Sequence, residues 1–135
     1  MNFINKIQAE WPLRLGLGLM YLYSSYDIFY HTQNWKGYIP QWFFHLIIPI
    51  MSIDLYLKLQ AVGEFVIALL FLAWFSGKWG VRIAAILSTI EMLAIILLSG
   101  IDNVTFRDIG LLGASLSLLI ISFQFTNSTT NDLVT

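Results

Sequence analysis

Two glutamates lie deep inside apolar runs of a chain that is 58% hydrophobic and only 11% charged. Glu64 stands fourteen residues before Lys78, and Glu91 stands thirteen after it. Lys78 is the centre of a Ser-Gly-Lys-Trp-Gly turn at 76–80. On two antiparallel helices joined there, both carboxylates fall about 20 Å from the turn, at one depth. Helical spacing puts Gln60 and Ala68 on the face of Glu64, and Ala84 and Ser88 on the face of Glu91. Small and polar companions mark faces turned toward other helices. Two carboxylates that meet in a low dielectric do not both ionise near neutral pH, so one is expected to keep a proton. The chemistry open to them is proton or cation exchange, or hydrogen bonding to the polar head of a lipophilic molecule such as a quinone. The plainer alternative is a protonated Glu hydrogen-bonded across helices to fix their packing. Ionisable groups within a membrane cost about 2.5–3.5 kcal/mol each on insertion, so Glu64, Glu91, Gln60 and Ser88 are the candidate ligand or proton site.

A second set lies nearer the ends of the apolar runs. Asp27, late in the first run, and Arg107, early in the last, are placed to form an ion pair joining first and last helices, or to snorkel separately. Arg14 heads a face made of Arg14, Gly18, Tyr21 and Ser25, and is placed to snorkel or to bind an anionic headgroup. Gly18 and Ser25 there, and Gly110, Ala114 and Ser117 with Gly113 in the last run, are expected to allow close helix approach. Tyr21, Tyr23, Tyr26 and Tyr30 read as packing and interfacial aromatics. The only histidines, His31 and His45, have no ligand-like spacing, so neither a metal nor a haem is expected. The chain has no Cys, which excludes thiol nucleophiles, disulfide relays and thiolate-held metals. A net charge of −1 provides no field for nucleic acid. No phosphate loop, dinucleotide fingerprint or nucleophile elbow is present, and no reaction is named by the residues alone.

These residues need a membrane to hold them. A mean hydropathy of +0.74 is far from a soluble composition, which is about 45–50% apolar and about 25% charged. Four runs are long enough to cross about 30 Å of hydrocarbon, near 12–31, 53–76, 81–99 and 106–125. The predicted fold is therefore all-α: an antiparallel four-helix transmembrane bundle forming a single domain over 1–125, with a polar, disordered tail at 126–135. The first run is too long, and too rich in Tyr at its end, for a secretory signal. Ser52 is a predicted N-cap, Asp54 and Lys58 an i,i+4 pair, and Thr105 with Asp108 a capping box. The longer link between the first two helices holds an apolar, aromatic stretch bounded by Pro40 and Pro49, expected to be interfacial or re-entrant. Trp11, Trp74 and Trp79 fall on one side, Trp35 and Trp42 on the other, as two aromatic belts. Lys6, Arg14, Lys78 and Arg82 against Lys36, Lys58 and Arg107 favour both termini in the cytoplasm of a cell (plasma or inner) membrane.

The order of parts resembles the DoxX-like family of small membrane proteins, including its DoxD-type subunits. The resemblance rests on Arg14-Leu-Gly-Leu-Gly18, Gly63-Glu64, the Gly-Lys-Trp-Gly turn before Val81-Arg82-Ile-Ala-Ala85, and Phe106-Arg-Asp-Ile-Gly-Leu-Leu-Gly113. It covers about residues 10–125 and carries over Glu64 and Arg14 as family-like positions. Departures stand at Ser25 to Ile28, where the family often has a small residue followed by Lys, and at Val66 to Ala68, where a Gly pair is common. The resemblance implies a four-helix membrane bundle linked with thiosulfate or thiol oxidation, quinone reduction or defence against oxidative stress. Two functions are expected from this. One is a membrane subunit or anchor of a quinone-linked or sulfur/thiol redox system, bound to a partner subunit or to itself. The other is a self-contained site for a quinone-like molecule, with proton exchange at the buried carboxylates.

Overall fold

The computed structural model describes residues 10–73, 77–100 and 105–131, with side chains as far as 123. Among these residues the chain is all helix and short turns, with no strand. The order is α1 (Glu10–Tyr30), α2 (Thr32–Trp35), a 3₁₀ turn (Lys36–Tyr38), α3 (Gln41–Ile47), α4 (Ile53–Leu72), α5 (Gly77–Ser99) and α6 (Phe106–Asn131). Three helices are long and apolar enough to cross a membrane: α4, α5 and α6. The sequence reading expected four. The helix outside this set, α1, is equally long at 21 residues, but Glu10, Arg14, Asp27 and its tyrosines dilute its apolar character.

The principal contacts run from α1 to α4, α4 to α5, α5 to α6 and α6 back to α1. The closest approach is between α1 and α4. It depends on Gly18, where an added Cβ would lie 2.7 Å from Leu72 Cγ and 3.3 Å from Phe71 Cβ. The other small residues behave differently. Added Cβ atoms at Gly110 and Gly113 would meet nothing within 4 Å, and Ser117 is exposed. The packed face of α6 is instead Ser115, Leu118 and Ser122, so the stripe expected at 110, 114 and 117 is one residue out of register. Its serines bond their own helix backbone, which lets them enter the packed face without an unpaired hydroxyl.

The helix ends follow local chemistry. Ser52 caps α4, its Oγ accepting from the Leu55 N–H at 3.3 Å. The expected Asp54–Lys58 pair is replaced: Lys36 reaches Asp54 at 2.9 Å, while Lys58 Nζ lies 6.0 Å from the centre of the Phe29 ring. A lysine from the crossover can approach the carboxylate head-on, without the constraint of a shared helix. Gly77 opens α5 at φ +61°, so the Gly-Lys-Trp-Gly segment expected as a turn is instead the first turn of that helix. Gly100 ends it at φ +78°, the left-handed conformation that glycine adopts cheaply. Thr105 Oγ1 donates to the Gly100 carbonyl at 2.7 Å, joining the end of α5 to the start of α6. α6 continues to Asn131, into the stretch expected as a tail, since a formed helix extends at one added bond per residue fixed. Trp74 and residues 132–135 lie outside the described residues.

Between α1 and α4 the chain makes a folded crossover rather than a span. Pro40 directly precedes α3 and Pro49 follows its end. Proline lacks the N–H that a helix interior needs, which confines α3, seven residues long, to the stretch between them. Trp42, Leu46, Ile48 and Ile50 stay exposed on this segment.

Candidate functional site

The buried stripe of α4 is Leu57, Ala61, Glu64, Ala68 and Phe71, and that of α5 is Val81, Ala84, Ala85, Ser88 and Met92. Steps of three and four residues bring each stripe to one side of its helix. Glu64 is therefore carried into the interior by the same periodicity that carries the apolar residues. Its side chain is 5% exposed. Glu91 is half-buried, and the two carboxylates are near enough to repel one another. The two glutamates thus lie on helices in contact, although the residues counted as the turn between them belong to α5 itself.

Around them stands a polar layer to which α1, α4, α5 and α6 all contribute. The fully buried Tyr21 hydroxyl donates to Ser88 Oγ at 2.9 Å. Ser88 and Ser115 hydroxyls are 2.6 Å apart, and Ser115 donates to the Leu111 carbonyl at 2.9 Å. Since Ser115 gives its proton to Leu111, Ser88 is the donor in the middle bond, and the chain runs Tyr21 to Ser88 to Ser115 to Leu111. Every hydroxyl in it is satisfied. The carboxylates are not. Gln60 Nε2 donates to Glu64 Oε1 at 3.4 Å. Gln60 and Tyr21 adjoin Glu91, and Ser24 adjoins Glu64. Yet Glu64 Oε2 and Glu91 Oε2 are buried oxygens with no hydrogen-bond partner. An orphaned buried polar group costs about 1–3 kcal/mol, and more if charged.

The outer candidates serve local structure. Arg14 Nε donates to the Phe71 carbonyl at 2.9 Å and Nη2 to that of Ala73 at 2.8 Å. The last carbonyls of a helix have no partner within it, so Arg14 clamps the end of α4 to α1. Its Nη1 reaches Glu10 at 3.2 Å, and Trp11 stacks on it with its ring centre 4.6 Å from Cζ. Asp27 accepts from Trp35 Nε1 at 2.8 Å and pairs with His31 Nδ1 at 2.9 Å. Both of its oxygens are thereby engaged beside the crossover, and no Asp27–Arg107 pair is present among the described residues. Arg107 is exposed at the start of α6. Among the described residues no three His, Asp or Glu side chains converge as a metal site would require.

Sequence reasoning thus found Glu64, Glu91, Gln60 and Ser88 together but missed Ser115, and it classed Tyr21 with the other tyrosines. Tyr21 carried a signal, since it shares a face with Arg14, Gly18 and Ser25. Ser115 carried none beyond helical phase. An apolar groove of about 630 Å³ lies elsewhere, between α1 and α4, lined among others by Tyr23, Tyr26, Phe29, Val62 and Phe65. Neither glutamate lines it. Comparison with protein-family models, curated proteins and solved structures gave no match.

Proposed function

We propose that this is a multi-pass membrane protein in which α1, α4, α5 and α6 all cross the bilayer as a four-helix bundle, and that its polar layer binds the head of a small lipophilic molecule of quinone type. One observation carries this reading: two buried carboxylate oxygens, Glu64 Oε2 and Glu91 Oε2, lack partners in a layer where every hydroxyl of the Tyr21–Ser88–Ser115 chain has one. A carboxylic acid donates to a quinone carbonyl, and a carboxylate accepts from a quinol hydroxyl, so a carboxyl pair suits either state of such a ligand. Tyr21 and Gln60 line the same layer and would orient the head.

The test is titration of a short-chain quinone into protein in nanodiscs, followed by quenching of tryptophan fluorescence. Saturable binding, weakened at least about tenfold in Glu64→Gln, corresponding to a loss of about 1.4 kcal/mol, is expected. If Glu64→Gln and Glu91→Gln alter stability alone, the glutamates only fix packing.

The resemblance to the DoxX-like family favours a companion role for this site, as the membrane subunit or anchor of a quinone-linked or sulfur/thiol redox system in the cell membrane. The few residues of sequence between α4 and α5 and between α5 and α6 favour the same role. Native mass spectrometry of gently extracted protein tests it: a second polypeptide held stoichiometrically is expected, and a bare chain retaining a quinone-sized adduct would leave only the self-contained site.

A further inference from the structure

The two ends of the interior are built differently. Toward the end that holds Glu10 and Leu72, one apolar core joins all four long helices. Leu17 comes from α1, Ala68 and Phe71 from α4, Val81, Ala84 and Ala85 from α5, and Leu118 from α6. Each of these is at most 2% exposed. Beyond them Arg14 is bonded onto the end of α4. Toward the other end the buried apolar cluster is Ile28, Leu57 and Ala61, with Trp35, Ile39 and Tyr56 packed against it. These belong to α1, α4 and the crossover, with no residue from α5 or α6. On α5 no residue beyond Met92 is buried, and on α6 none from 106 to 114 is. Among the described residues the fully buried contacts between the two helix pairs therefore gather toward one end, while half-buried Ile95, Leu111 and Leu112 pack against the same core from the other.

Polar side chains stand toward that other end as well. Tyr56 and Gln60, both half-buried, lead inward along α4. Asp108 stands half-buried in the first turn of α6, at the same end of the molecule. Tyr56, Gln60 and Glu64 follow one another at steps of four and so share one face of α4. Glu91 is half-buried where Glu64 is buried. Water is absent from the hydrocarbon core of a bilayer and enters only where polar groups line a path.

We propose that the Glu64–Glu91 pair exchanges protons with water on one side of the membrane only, the side that holds α2, α3 and the start of α6, along a route lined by Tyr56, Gln60 and Asp108. The inference rests on the membrane reading above and deepens its proton-exchange aspect. A ligand head bound at the glutamates would receive its protons from that side, while the apolar core and the Arg14 clamp keep the other side dry.

The chain contains no cysteine, so single cysteines can be read without background. Gln60→Cys is placed on the route, and Ala84→Cys and Leu17→Cys within the seal. Each is reconstituted in one orientation in phosphatidylcholine vesicles and treated with a membrane-impermeant cationic methanethiosulfonate from either side. Gln60→Cys is expected to react at least about tenfold faster from the side of α2 and α3 than from the side of the termini. The two cysteines in the seal are expected to react from neither side until the protein is unfolded. Equal rates at Gln60→Cys from both sides, its protection from both, or labelling of Ala84→Cys from the side of the termini would overturn the proposal. Tyr56→Cys, with the same expectation, replaces Gln60→Cys if that variant loses its native tryptophan emission. Quinone titration of Glu64→Gln tests the site, whereas labelling tests the route, so each can fail while the other stands.

Discussion

Replacing Arg14 by Ala removes two charge-assisted hydrogen bonds that hold the end of α4, at 2.9 Å to Phe71 O and 2.8 Å to Ala73 O. Bonds of this kind contribute about 1.5–3 kcal/mol each. Burying a guanidinium that is 5% exposed offsets part of this, so the low end applies and the loss is about 3 kcal/mol. The cost falls on α4 because both carbonyls stand at its C-terminal end, where a helix supplies no donors of its own. Arg14→Lys retains the charge, but one ammonium does not span both carbonyls in the geometry of a guanidinium. About half the loss, about 1.5 kcal/mol, is expected for it. Glu10→Gln removes only the 3.2 Å contact to Nη1 and should cost less than about 0.5 kcal/mol. The assay is equilibrium unfolding in mixed dodecyl maltoside and dodecyl sulfate micelles, followed by far-ultraviolet circular dichroism. A loss under about 0.5 kcal/mol in Arg14→Ala, the range of an ordinary surface change, would refute the clamp. Weakened binding to anionic vesicles in that same variant would return Arg14 to the headgroup role.

Three further outcomes are expected in the same unfolding assay. Gly18→Val pushes a branched side chain against Leu72 and Phe71, and overpacking of this kind costs about 1–3 kcal/mol; a neutral result would mean α1 and α4 are not in close contact. Ser115→Ala takes away the acceptor of Ser88 and should cost about 0.6 kcal/mol, the average for interhelical bonds in membranes, and Tyr21→Phe made in addition should cost less than it does alone because the two share one chain. Asp54→Asn weakens the pair with Lys36, in which the side chains are 47% and 27% exposed. The effect should stay below about 0.5 kcal/mol and vanish in high salt.

The sequence carried the helix positions, because the length of an apolar run is set by hydrocarbon thickness and is read residue by residue. Ser52, Gly100, Pro40 and Pro49 act within a few residues of themselves, and they fall where their local chemistry puts them. Glu64 and Glu91 were legible as candidates because a carboxyl group inside an apolar run is costly wherever the chain turns. The sequence also placed Gln60 and Ser88 beside them, since residues four and three apart share a helix face.

Which partner each polar group takes is a tertiary matter. Asp54 pairs with Lys36 rather than Lys58, and Arg14 reaches carbonyls more than fifty residues away; neither choice is visible in spacing, because several partners of equal chemistry compete and three-dimensional proximity selects among them. The rotation of α6 is equally hidden. Gly110, Ala114 and Ser117 satisfy a packing pattern as well as Ser115, Leu118 and Ser122 do, and only the fit against α5 puts Ser115 within 2.6 Å of Ser88. The sequence by itself determined where the helices run and that two carboxyl groups stand within them, both of which follow from local periodicity and transfer free energy. The structure decided which faces meet, toward which end of the interior the fully buried contacts gather and which carboxylate oxygens are left without partners, because these depend on how four separate helices turn about their own axes.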